Sequence, residues 1–146
     1  MKLSIIIPAY NEEGNIIELN KKLTNTLKDL DYELIYINDG SSDKTLDKIK
    51  KISENDINIK YISFSRNFGK EAAIYAGLKK STGDYTCIID SDLQQNPKYI
   101  LNMYDYLKKH ENTDQIAMVM KNREIENIFN RFFKIFFINL SINYLI

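Results

Sequence analysis

Ile88-Ile89-Asp90-Ser91-Asp92-Leu93 is an apolar run that ends in two carboxylates spaced i, i+2. With Tyr85, Thr86 and Cys87 before it, the stretch reads as a buried strand running into an acidic loop. Near a strand end that spacing turns both side chains to the same side. Two acidic groups at one sheet edge repel each other unless a cation sits between them. Open α/β sheets also bind ligands outside the carboxyl ends of their strands. Asp90 and Asp92 are therefore candidates for holding a hard divalent ion and the phosphates it carries.

Outward from this stretch, strand-like and helix-like segments alternate. Leu3 to Ile7 is compact and β-branched, with Pro8 as its stop. Glu12 to Leu30 has helical periodicity, with Ile16, Leu19, Leu23 and Leu27 on one side. Tyr32 to Ile37 is a second strand. Asp43 stands where it would cap a helix carrying Leu46, Ile49 and Ile52. Ile57 to Phe64 is a third strand, and Gly69 to Lys80 a helix rich in Ala. Tyr85 to Ile89 is the fourth strand. Pro97 opens a helix over Tyr99 to Lys109, and Gln115 to Met120 is a short fifth strand. Such alternation predicts an α/β fold of three layers, α/β/α, around a mainly parallel sheet.

The chain has 146 residues, enough for one domain with a real core. Its formal net charge of zero gives no basic field for nucleic acid. The single cysteine, Cys87, excludes an internal disulfide framework and a cysteine metal cluster, and its apolar setting predicts an inert buried thiol. His110 follows two lysines at a helix end and reads as solvated. No secretory signal is visible, and no segment holds the roughly 20 apolar residues that span a bilayer. A cytoplasmic protein is expected, peripheral at the cytoplasmic face of the membrane.

Each strand is followed by a polar cluster. These are Pro8-Ala9-Tyr10-Asn11-Glu12-Glu13, then Asn38-Asp39-Gly40-Ser41-Ser42-Asp43, then Ser65-Arg66-Asn67-Phe68-Gly69-Lys70-Glu71, then Asp90-Ser91-Asp92-Leu93-Gln94. In a parallel sheet all four emerge at one edge. Singly, each has a plain structural reading. Asn-Asp-Gly-Ser-Ser makes a turn, Arg66 and Lys70 make a solvated face, and Asp-x-Asp makes a helix N-cap region.

Taken in order, the four clusters resemble the family 2 glycosyltransferases of GT-A fold. The Arg66-Asn67-Phe68-Gly69-Lys70-Glu71-Ala72 run and Asp92-Leu93-Gln94 look most like the polyprenyl-phosphate (dolichyl-phosphate) sugar transferase branch. The resemblance implies a Rossmann-like nucleotide-sugar-binding half over 1–123. It implies that Asp39 receives a uracil or guanine ring N–H and that Pro8, Ala9, Tyr10 and Glu12 surround base and ribose. Asp92 would ligate Mg²⁺ or Mn²⁺ on the diphosphate, and Asp90 the ribose or the metal. Arg66 and Lys70 would hold phosphate, and Gln94 would stand near the sugar. The activity implied is inverting transfer from a UDP- or GDP-linked sugar to a polyprenyl phosphate.

Two departures stand out. Gln95-Asn96-Pro97 follows where the family often has an acidic residue or His and then prolines, and Met120 precedes Lys121-Asn122-Arg123 where an Arg is usual. No general base is found. The resemblance also makes this chain the nucleotide-binding half of such an enzyme, truncated: a truncated gene product, a fragment, or one piece of a split enzyme, with a homo-oligomer or a second polypeptide as the alternatives for supplying the missing half. The alternative function is a nucleotide- and metal-binding remnant without transfer. The tail 124–146 is rich in Phe and Ile, interrupted by Arg131 and Lys134. Its expected form is an amphipathic helix, lying either on a membrane surface or in a core whose partners are absent.

Overall fold

The computed structural model describes residues 1–110 and, for their backbone, 115–118 and 135–139. The elements in chain order are β1 (Leu3–Ala9), α1 (Ile16–Leu27), β2 (Tyr32–Asn38), α2 (Thr45–Asn55), β3 (Ile59–Ser63), α3 (Lys70–Lys80), β4 (Tyr85–Ile89), α4 (Lys98–Lys109), β5 (Gln115–Met118) and β6 (Ile135–Asn139). The strands form one sheet in the order β3-β2-β1-β4-β6-β5. The β3–β2, β2–β1 and β1–β4 pairs are parallel, and β6 runs antiparallel to both β4 and β5.

Alternation along the strands makes two cores. Leu3, Ile5 and Ile7 of β1, with Leu34 and Tyr36 of β2 and Cys87 and Ile89 of β4, face α1, α2 and α4. Ile6, Ile35 and Ile37 point the other way and pack against Ala73 of α3, with Leu78 at their margin. The helical stripe of α1 is fully buried at Ile16, Leu19, Leu23 and Leu27, as its period predicts. Cys87 is fully buried, and burial pushes its thiol well up from its ordinary value, as suits an inert core side chain. The chain moves outward from β1 to β3 and then crosses back to β4 on the far side of β1. That reversal carries α3 onto the face opposite α1 and α2.

Several boundaries shift for local reasons. Pro8 lies inside β1 rather than ending it, paired with Ile37. Ala9 turns its carbonyl toward β2, where Asp39 N–H donates to it at 2.9 Å. The nitrogen of Pro8 therefore faces β4, where the ladder has already ended at Ile6 and Ile88 and no donor is needed. Helix α1 starts at Ile16, later than its period suggests; residues 12–15 form a turn closed by Asn15 N–H on the Glu12 carbonyl (2.9 Å), and the Glu12 N–H donates to the Thr45 hydroxyl at 2.8 Å. Strand β3 starts at Ile59, and Ile57 stands 94% exposed in the turn before it.

The tail requires a larger correction. An amphipathic helix was expected over 124–146, but Ile135–Asn139 is a strand inserted between β4 and β5. A short Ile-Phe-Phe-Ile run has no periodicity that distinguishes strand from helix. Its β-branched and aromatic residues suit a pleated surface, and it supplies the neighbour that β4 needs. The rest of 124–146 lies outside the described residues, as do 119 and 120 of the expected fifth strand.

At the amino end of the sheet, Glu33 is 1% exposed. It accepts from the Ser4 hydroxyl (2.6 Å), the Thr82 N–H (2.7 Å) and the Lys60 ammonium (2.7 Å). One side chain thus ties β1, β2, β3 and the approach to β4.

Candidate functional site

The order β2-β1-β4 makes the gap between β1 and β4 the point where the chain reverses direction. The loops leaving those two strands part there and open a crevice. A cavity of about 380 Å³ occupies it. Pro8, Ala9, Tyr10 and Glu12 line it from the first loop and Asp39 from the second. Asn67, Gly69 and Lys70 line it from the third, and Asp90, Ser91 and Asp92 from the fourth. Loops distant in sequence meet at one rim. Four carboxylates and one ammonium face this space, a balance that draws in a cation.

The first two loops hold each other through reciprocal bonds. Asn11 N–H donates to Ser41 Oγ (3.0 Å) and Ser42 N–H to Asn11 Oδ1 (2.9 Å). Glu13 N–H donates to Asp43 Oδ2 (3.1 Å), and Lys44 N–H to Glu13 Oε2 (2.8 Å). Asp43 thus serves the helix start as expected, receiving Thr45 N–H at 2.9 Å, while also anchoring the neighbouring loop. Tyr10 is half exposed at the cavity mouth, its ring open to stacking.

Asp39 is 3% exposed and clamps the third loop. Its Oδ1 accepts Phe68 N–H at 2.7 Å and its Oδ2 accepts Gly69 N–H at 3.0 Å. A carboxylate has about four acceptor positions, so two such bonds leave capacity for a further donor. The anion also sits at the amino end of α3, where the helix dipole favours it. Gly69, at φ 96, completes the turn into that helix.

The fourth loop curls through Leu93, whose φ of 61 is unusual for a branched residue. The curl brings Gln95 back under Asp90. Gln95 is 3% exposed; its Nε2 donates to Asp90 Oδ2 (3.3 Å), and its Oε1 accepts Asp90 N–H (3.4 Å). Lys70 Nζ lies 2.5 Å from the other oxygen, Asp90 Oδ1. Asp92 Oδ1 receives Gln94 N–H at 3.0 Å.

Eight of the ten residues singled out from sequence therefore line one cavity. Arg66 and Gln94 do not. The Arg66 guanidinium lies 4.8 Å from the centre of the Phe68 ring, on the exposed side of the third loop. Gln94 faces a separate groove between α1 and the start of α4, with Lys22, Asn25 and Lys98. Sequence reading assigned no role to Asn67, Ser91 or Gln95. The first two lie within the quoted clusters. Gln95 carries no such signal, because its return to Asp90 depends on the left-handed turn at Leu93.

The donor set admits a divalent cation in one way. Among the described residues no cluster of three or more acidic, His or Cys side chains could hold a metal. Asp90 and Asp92 are two carboxylates beside a space large enough for phosphate. That fits an ion such as Mg²⁺, which takes one or two carboxylates and completes its shell with water and substrate phosphates. Among the described residues no helix is long and apolar enough to cross a membrane.

The chain is similar to known proteins. The putative glycosyltransferase CsbB of Bacillus subtilis is 43% identical over 124 residues, covering 84% of this chain and 37% of its own. The dolichol-phosphate mannosyltransferase of Pyrococcus furiosus is 32% identical over 127 residues, covering 87% of this chain and 36% of its own. The chain thus spans well under half the length of these relatives. Among solved structures, the mannosyltransferase PcManGT of Pyrobaculum calidifontis, in complex with GDP-Man and Mn²⁺, superposes with a TM-score of 0.72. It covers 95% of this chain and 44% of its own at 17% identity, a likeness of fold that matches the expected GT-A arrangement. A model of Glycosyl transferase family 2 matches residues 4–143, and the chain belongs to that family.

Proposed function

We propose that this chain forms the donor-binding part of an enzyme that moves a sugar, with inversion, from a UDP- or GDP-linked donor to a membrane polyprenyl phosphate. The observation that carries the reading is the meeting of Glu12, Asp39, Lys70, Asp90 and Asp92 around one cavity at the switch point of the sheet. The relative named for dolichol phosphate supports the choice of acceptor.

In this reading Tyr10 stacks on the base and Asp39 accepts a ring N–H from the acceptor capacity it retains. Glu12 accepts from a ribose hydroxyl; its own position is secured by Asn15 Nδ2 at 2.6 Å and by its N–H on Thr45. Asp92, with Asp90, holds Mg²⁺ or Mn²⁺ against the diphosphate. When bound, the ion offsets the charge that develops on the departing diphosphate. A polyprenyl phosphate is already an anion, so the acceptor needs no general base to become nucleophilic. A second reading is donor and metal binding without transfer, since the residues that line the cavity are those this account gives to base, ribose, diphosphate and cation.

Calorimetric titration of UDP and GDP with and without Mn²⁺ tests the site. Metal-dependent binding of one of them is expected, and none in a folded sample would end both readings. Radiolabelled donor with polyprenyl phosphate then separates transfer from binding. Asp39→Asn places an amide N–H₂ against the Phe68 or Gly69 N–H and removes the charge. Nucleotide affinity is expected to fall about 10- to 100-fold, the scale of one or two charge-assisted bonds. Unchanged affinity by the same titration would remove Asp39 from the base site.

A further inference from the structure

Both oxygens of Asp90 are already engaged by the protein. Lys70 holds Oδ1, and the buried Gln95 carboxamide holds Oδ2 while also receiving the Asp90 N–H. Gln95 is packed in place, so it sets the carboxylate's orientation. Lys70 differs, because half of its side chain is exposed and it stands at the first residue of α3 with room to swing. A divalent ion on the same carboxylate would sit only about 4–5 Å from the ammonium, close enough for strong repulsion. The cation thus competes with Lys70 for Asp90. A diphosphate entering the cavity changes that competition, since it offers the ammonium an anionic partner within the same lined space.

We propose that Lys70 is a place-holding cation: it occupies Asp90 until a nucleoside diphosphate draws it off, so that metal and nucleotide bind cooperatively and bare metal binds weakly. This rests on the donor-binding reading above and deepens it with an order of assembly. A ligand shifts an equilibrium only by its differential affinity for the two arrangements. The diphosphate interacts favourably with a released Lys70 and hardly with a paired one, which supplies that difference. Reciprocity then requires the nucleotide to tighten metal and the metal to tighten nucleotide by the same factor. Lys70 is a positioning residue in this account, acting on the ion through Asp90.

The test titrates Mn²⁺ into the full chain without nucleotide, then with saturating UDP or GDP, for the wild type, Lys70→Met and Lys70→Arg. The wild type is expected to bind Mn²⁺ weakly alone and at least ~10-fold more tightly with nucleotide, within the usual range of coupling. Lys70→Met is expected to bind bare Mn²⁺ about 10-fold more tightly than the wild type and to show correspondingly weaker coupling, the remainder coming from direct ligation of the ion by the diphosphate. Lys70→Arg, which keeps a cation there, is expected to retain weak bare binding. Thermal melts confirm folding of each variant. Bare Mn²⁺ affinity that is unchanged or weaker in a folded Lys70→Met would overturn the proposal while leaving the donor site standing. A wild type that takes up no Mn²⁺ even with nucleotide would overturn both.

Discussion

Gly40→Ala is expected to abolish metal-dependent nucleotide binding and to lower stability by about 3–5 kcal/mol, from left-handed backbone strain together with loss of two charge-assisted bonds. Gly40 has φ +66, and a Cβ built on it lies 2.2 Å from the Arg66 carbonyl carbon and 2.5 Å from the Asn67 nitrogen. Both are backbone atoms, so no side-chain tip can swing aside. The third loop must move away from the second. Phe68 and Gly69 then leave Asp39, which sits next to Gly40 and holds their N–H groups. The same movement carries Asn67 and Lys70 from the cavity wall. Denaturant melts and a nucleotide titration read the two effects. Gly14→Ala is the control: nothing lies within 4 Å of its added Cβ, and a change within ~0.5 kcal/mol is expected for such a surface site. Full nucleotide affinity in a folded Gly40→Ala protein would show that the close approach of the two loops is not what builds the site.

The role of Gly40 shows how the sequence could be read and where it could not. The turn signal Asn38-Asp39-Gly40-Ser41-Ser42 was plain, and so was its place after a strand. Alternation of strand and helix put four polar loops on one edge, and Tyr85–Ile89 matches the expected strand end to end. These features are local, or follow from topology alone. Arg66 and Lys70 show the limit. Both are basic and lie four residues apart across one loop, yet one caps the Phe68 ring outside the cavity and the other meets Asp90 inside it. Only the turn at Gly69 decides which goes where. Gln95 was visible merely as a departure from family habit; its bond to Asp90 needed the curl at Leu93. Strand β6 was missed for a different reason. It comes from far along the chain and enters the sheet between β4 and β5, and a five-residue apolar run says nothing of its neighbours.

Glu33 was the least legible residue of all, one polar position within an expected strand, and its removal should be among the costliest changes. Glu33→Ala is expected to destabilise the fold by about 2–4 kcal/mol, from buried donors left unsatisfied at about 1–3 kcal/mol each. It would leave the Ser4 hydroxyl and the Thr82 N–H without their acceptor at the sheet's amino end, while the Lys60 ammonium, its side chain 38% exposed, returns to water. Against a typical total stability of about 5–15 kcal/mol, that is a large share. The same geometry sets a pH dependence. Burial by itself would raise the carboxyl's pKa; hydrogen bonds from Lys60, Ser4 and Thr82 outweigh it and lower the pKa from its ordinary 4.5 to about 2. The proton therefore prefers the unfolded chain. The stabilisation, about 3 kcal/mol for a shift of this size, is complete above the unfolded value near 4.5 and drains away as pH falls toward 2. Glu33→Gln keeps the shape and removes the titration. Urea midpoints of wild type and Glu33→Gln, taken between about pH 2 and 7, should differ most near neutrality and converge in acid. A gap of equal size at both ends would mean that Glu33 contributes through shape and packing, not through its charge.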